Sequence, residues 1–155
     1  MTIKKGFLKK TYPAWKKIYS VSFRIIVKKS YGGWQSVIHF TTRGDSGYGC
    51  RIPAVWIYGA YFYIWSDVSG NTNYGKHIKF SYGKKYDITI QQTKKNYKYW
   101  YEIIVNGSTV VKVQNTQPRI FYNVKEYLSD PWYPAFTSDF GYVSNLKICN
   151  LNICM

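Results

Sequence analysis

YKYWYEIIVNGSTVVKVQN, residues 97–115, is two alternating runs hinged on one dipeptide. Asn106-Gly107 between Tyr97–Val105 and Ser108–Asn115 is the strongest short-range hairpin signal a sequence can carry. In the first run Tyr97, Tyr99, Tyr101, Ile103 and Val105 share one face, and Trp100, Glu102 and Ile104 share the other. That period of two is a strand's, not a helix's. Outward from it the same pattern recurs. Ile88 and Ile90 alternate with Asp87 and Thr89 in a strand over Tyr86–Gln92, and Lys76–Tyr82, bounded by Gly75 and Gly83, reads as a short edge strand. Ile52–Tyr58 and Tyr61–Ser66 flank Gly59-Ala60 as a second hairpin, and Trp34–Thr42 precedes them. Tyr19, Val21, Phe23, Ile25 and Val27 line one face of a further strand, opposite Ser20, Ser22 and Arg24. Ile120–Leu128 and Phe140–Cys149 complete roughly ten strands with no helical stretch between them. The fold class this predicts is all-β, an antiparallel two-sheet jelly-roll sandwich in which Phe140–Cys149 lies near Tyr19–Val27. One domain over residues 1–155 is expected, with residues 1–16 a basic N-terminal arm or edge strand.

Composition narrows what such a sandwich does. The 155 residues carry 22 Lys and Arg against 7 Asp and Glu, a net charge of +15. Such a field attracts polyanions: nucleic acid, sulfated glycan or anionic lipid. Only Arg24, Arg43, Arg51 and Arg119 are arginines, so the excess is lysine, which does not read base edges bidentately. Nucleic-acid binding is therefore expected only as a non-specific activity. With 17 Tyr, 8 Phe and 6 Trp the chain has ample apolar surface to bury, which excludes disorder. No apolar run approaches the ~20 residues a membrane helix needs. Residues 1–10 lack the apolar core of a signal peptide.

Cys50, Cys149 and Cys154 cannot all pair within one chain. Read on a single strand, Cys149 and Cys154 stand ~16 Å apart on opposite faces and are not expected to bond. Cys50 with either remains open.

Catalytic patterns are sparse. His39 and His77 sit in or beside strands without a serine-histidine-aspartate order, a zinc helix motif or a phosphate-cradling glycine loop. Glycosidases need two carboxylates on one face, ~5 to 9 Å apart, whereas Glu102 and Glu126 each stand alone in their strands. The expectation is no enzyme and no cofactor. Asp45 and Asp130 are the loop carboxylates that could serve calcium; the competing reading makes both of them turn caps.

Aromatic rings are the dominant signal. Trp56, Tyr58, Tyr61, Tyr63 and Trp65 crowd one hairpin, more rings than one buried strand face holds. With Lys76, Lys79, Lys84 and Lys85 they form the candidate ligand site, suited to sugar stacking, cation–π contacts or a packed interface. Trp56 is read a second way as well: with Trp132 and Pro131 it is expected to be structural, because Pro53 and Pro131 fix chain turns beside large rings.

Five segments carry a resemblance. Trp34–Thr42, Tyr48–Trp56 with its RIPAVW, Asn115–Arg119, Ser129–Ala135 with its DPWYPA, and Asn145–Ile148 occur in this order. Together they resemble a laminin-G-like, concanavalin-like jelly-roll module of extracellular proteins in cnidarians and other marine invertebrates. The resemblance spans about Trp15 to Ile148. It implies a binder of glycans or proteins, placed outside the cell. Trp65 and Gly75 stand where the family resemblance implies a cysteine pair, and Cys50 where it implies Asp. These departures and the charge leave an intracellular or virion setting open. Three functions follow: a module binding glycans or polyanions such as sulfated polysaccharide, a self-assembling structural subunit, or a non-specific nucleic-acid binder. A homo-oligomer belongs to the second.

Overall fold

Strands that bury alternate residues can be stable only in pairs of sheets, inner faces together. The computed structural model, which describes residues 3–43, 47, 49–151 and 153–154, has that form. Twelve strands among these residues make two antiparallel six-stranded sheets. They are β1 (Phe7–Trp15), β2 (Tyr19–Val27), β3 (Gln35–Thr41), β4 (Ala54–Tyr58), β5 (Tyr61–Val68), β6 (Asn71–Lys79), β7 (Lys85–Lys95), β8 (Lys98–Val105), β9 (Ser108–Asn115), β10 (Phe121–Ser129), β11 (Gly141–Asn150) and β12 (Ile153–Cys154). The first sheet runs β1-β10-β3-β4-β5-β6 and the second β12-β11-β2-β7-β8-β9. The sandwich is all-β, as the alternation predicts, and β11 pairs with β2 over Gly141↔Val27 to Asn150↔Tyr19. Among the described residues no helix is long and apolar enough to cross a membrane.

The core is the meeting of inner faces. Val21, Phe23, Ile25, Ile88, Ile90, Tyr101 and Ile103 from the second sheet meet Phe40, Val55, Phe62, Ile64 and Val124 from the first. Trp15, 1% exposed, packs its indole 4.9 Å from Phe40 and 5.4 Å from Tyr19, tying the end of β1 to both sheets. The basic arm is thus an edge strand, paired to β10 from Phe7↔Ser129 to Trp15↔Phe121. The edge strand read over Lys76–Tyr82 is instead β6 (Asn71–Lys79), which starts five residues earlier, ends at Lys79 and does lie at the edge of the first sheet.

Two expectations need correction. The strand read from Tyr97 begins at Lys98, because Asn96 (φ 52°) and Tyr97 (φ 64°) form the β7–β8 turn. Both residues occupy the left-handed region that a two-residue hairpin turn requires, so Tyr97 is thrown into solvent at 94% exposure. Asn106 (φ 49°) and Gly107 (φ 79°) close β8 to β9 in the same way. Secondly, Cys149 and Cys154 do form a disulfide. The chain does not run straight on; it reverses after Asn150, through Leu151 at φ 62°, and β12 returns along β11 with Cys149 and Cys154 as register partners, Cα atoms 3.9 Å apart. The prediction of ~16 Å assumed one uninterrupted strand.

Cys50 stays a thiol, 0% exposed. A thiol reagent is therefore expected to find no rapidly reacting cysteine in the folded protein, one after denaturation and three after denaturation with reduction. Three reactive thiols in the denatured, unreduced protein would refute the Cys149–Cys154 link.

Candidate functional site

Outward-facing residues of the first sheet build the site. On β4 and β5 the register pairs Trp56↔Tyr63, Tyr58↔Tyr61 and Ala54↔Trp65. These rings alternate with the core residues Val55, Ile57, Phe62 and Ile64, so all five rings of the hairpin face away from the core. β6 extends that face with Tyr61↔Lys79, Tyr63↔His77 and Trp65↔Gly75. Trp65 and Gly75, the positions where a cysteine pair was implied, are thus direct cross-strand partners. The indole fills the room over the glycine: a Cβ at Gly75 would lie 2.6 Å from Trp65 Nε1.

Half of this face is sealed by the segment after β10. Asp130, 0% exposed, accepts hydrogen bonds on Oδ1 from the amides of Trp132 (3.0 Å) and Tyr133 (2.9 Å). Its Oδ2 accepts from Trp56 Nε1 at 3.0 Å and from His39 Nδ1 at 2.9 Å. The other ring nitrogen of His39 meets the Cys50 carbonyl. The imidazole is thus held between a carboxylate and a backbone carbonyl, which fixes the plane of the ring. The Asp130 amide donates to Ser36 Oγ, and Ser36 exchanges backbone bonds with Pro134 and Phe136. Trp132 and Tyr133 are thereby laid over His39 (5.4 Å) and Trp56 (6.0 Å). Burial alone would raise the Asp130 carboxyl, but hydrogen bonds from His39, the Tyr133 amide and Trp56 outweigh it and hold the group below its ordinary 3.8.

The open half is an aromatic pavement. Trp34, 37% exposed, lies 4.8 Å from Tyr58 at an interplanar angle of 32° and 4.7 Å edge-on to Tyr63. Tyr58 is 45% exposed. Tyr61 and Tyr63 continue to His77 at 5.6 and 5.8 Å. Arg51 spreads its guanidinium over Trp56 (5.1 Å) and Trp65 (4.8 Å) and donates to Asn73 Oδ1. Cations and ring faces therefore share one solvent-facing surface.

Against the sequence expectation, the hairpin rings and Lys79 come together, but three lysines do not join them. Lys76 is the partner of Ile64 and points to the other side of β6. Lys84 lies over the Tyr86 ring at 5.4 Å, and Lys85 starts β7 in the second sheet. Trp56, 4% exposed beneath Tyr133, takes the structural reading and is not accessible to a ligand. Trp132 is half-buried and Pro131 exposed. Trp34, His77 and Arg51 were missed, because only the β3–β4 and β5–β6 registers bring them to the hairpin. Asp45 lies outside the described residues. Asp130, the other calcium candidate, has both oxygens engaged by donors in the interior, which is the cap reading.

No family model matches the chain, and no curated protein does. Solved structures do. The chain resembles the binding domain of botulinum neurotoxin serotype G (TM-score 0.58, 14% identity, 88% of this chain and 34% of that one). It also resembles a heptameric SAP-like pentraxin from Limulus polyphemus (0.55, 12%, 95% and 74%) and sheep galectin-11 (0.50, 11%, 94% and 98%). The chain spans about a third of the neurotoxin domain's length. At these identities the likeness establishes the fold, a concanavalin-like jelly-roll sandwich. It also corrects one expectation. A family 7 alginate lyase shares the architecture (0.52, 13%, 90% and 63%), so the fold hosts enzymes and the absence of familiar catalytic patterns does not make this chain a non-enzyme.

Proposed function

We propose that the protein binds glycans across the outer face of β4, β5 and β6, with acidic polysaccharides its preferred class. The observation carrying this is the solvent-open stack of Trp34, Tyr58 and Tyr63, which offers flat apolar faces of the kind that sugar rings stack on. Monomeric proteins rarely leave such a patch without a use. Lys79, His77 and Arg51 border it, and the net charge of +15 favours acidic over neutral sugars. Among the structural neighbours is a family 7 alginate lyase in complex with its substrate. The Cys149–Cys154 disulfide supports an oxidising, extracellular setting.

Parallel heparin and double-stranded DNA columns test the class of partner. Retention on heparin well above physiological salt, with earlier elution from DNA of matched charge density, is the expected result, since charge alone would hold the protein equally on both. Equal retention on the two columns would leave only non-specific attraction.

A further inference from the structure

The sandwich also opens on its opposite flank. Between the β1-β10-β3 side of the first sheet and β11-β2 of the second lies a cavity of about 540 Å³, inside the roughly 300–1,000 Å³ range of small-molecule sites. Its walls are inner-face side chains: Phe23, Ile38, Leu128 and Phe136. Val143 shows why it is unfilled. It pairs with Ile25, which is 0% exposed, and so belongs to the inner face, yet it is 41% exposed because nothing from β1 or β10 reaches it. An extra residue between Ser144 and Lys147 bulges β11 here and turns Leu146 toward the same opening.

A second bulge sets the charge. Leu8↔Tyr127 and Lys10↔Glu126 are consecutive partners on β1 and β10, so Lys9 is the extra residue, and its side chain turns inward to line the cavity. Its Nζ sits 3.4 Å from Oε2 of Glu126, a carboxylate with 0% exposure whose Oε1 is already held by Tyr12 OH at 2.7 Å. Lys9 itself is 43% exposed. An ammonium carries three donors, so one contact with Glu126 leaves others for a ligand. Among the described lining residues Lys9 alone is charged; Thr137, Ser138, Ser144 and Asn145 are neutral.

We infer that this cleft is a binding site for a monomeric fatty-acid-type anion, its unbranched chain between the sheets and its carboxylate on Lys9. The site is separate from the aromatic face and does not depend on the glycan reading. An apolar slot takes a chain, and a single cation on its lining selects an anionic head over a neutral one.

Fluorescence enhancement of cis-parinaric acid tests this, with displacement by octanoate, decanoate, dodecanoate and dodecanol. Saturable 1:1 binding is expected, tightening about fourfold per added methylene. Val143→Trp should fill the slot and abolish binding while the melting temperature holds. Lys9→Met should weaken dodecanoate about tenfold and leave dodecanol unchanged. A heparin oligosaccharide should not displace the probe. No enhancement, undiminished binding to Val143→Trp, equal losses for acid and alcohol in Lys9→Met, or association with lipid vesicles in place of monomeric acid would each overturn the assignment. So would closure of the cleft by a second copy, seen as a dimer in light scattering that Val143→Trp dissociates.

Discussion

Asp130→Ala is expected to lower the melting temperature by about 10 °C or more. The substitution removes the acceptor of four hydrogen bonds and strands the His39 ring nitrogen and the Trp56 indole N–H in the interior. Each buried donor left without its acceptor costs about 1–3 kcal/mol, and in a protein this size each kcal/mol moves the midpoint about 2–4 °C. The pH dependence has a definite sign. The folded-state pKa of Asp130 lies below the ordinary 3.8, so its stabilisation is complete above pH 3.8 and is lost as the pH falls through the lower folded value. Asp130→Asn should therefore be less stable than the native protein at neutral pH, and the two should converge in strong acid. A constant gap across the acid range in thermal melts would mean that Asp130 acts through shape alone.

The double substitution Trp34→Ala, Tyr58→Ala is expected to weaken glycan binding about 100-fold, from ~3 kcal/mol lost over two stacking rings. Both rings are partly exposed, at 37% and 45%, so the melting temperature should fall by only a few degrees. Trp100→Ala serves as the control. That ring lies on the outer face of the second sheet, 5.7 Å from the Lys112 ammonium, in a pairing chemically like the site's own. Its removal should leave calorimetric affinity for a heparin fragment unchanged. A loss shared equally between the two faces would mean that the whole basic surface binds.

Local pattern carried far into this fold, and it stopped where distant segments meet. Tyr19–Val27 and Ser108–Asn115 are legible to the residue, because alternation and turn chemistry are local properties. The rings of the 56–65 hairpin are legible as a cluster for the same reason. That Trp34 completes their stack is not, since it depends on β3 lying beside β4 with Gln35 opposite Ile57. The hairpin of Cys149 and Cys154 escaped because the positive φ falls on Leu151, a residue type that rarely adopts it, and not on a glycine. Two segments that carry the resemblance meet in space, which their order in the chain does not state. RIPAVW and DPWYPA are joined through Asp130, which reaches Trp56 in the one and the amides of Trp132 and Tyr133 in the other. Charge misled in one respect: Lys76, Lys84 and Lys85 are close in sequence to the rings, but strand parity and the crossing between sheets send them elsewhere.

The six indole N–H resonances of the tryptophans report directly on which face holds a ligand. In a nitrogen-15 correlation experiment titrated with a heparin hexasaccharide, Trp34 should shift most and Trp65 less, since Trp34 is exposed and Trp65 lies half-buried beside Arg51. Trp15, in the core, and Trp100, on the opposite sheet, should stay fixed. Movement of Trp100 with Trp34 stationary would place the ligand on the second sheet and contradict the account.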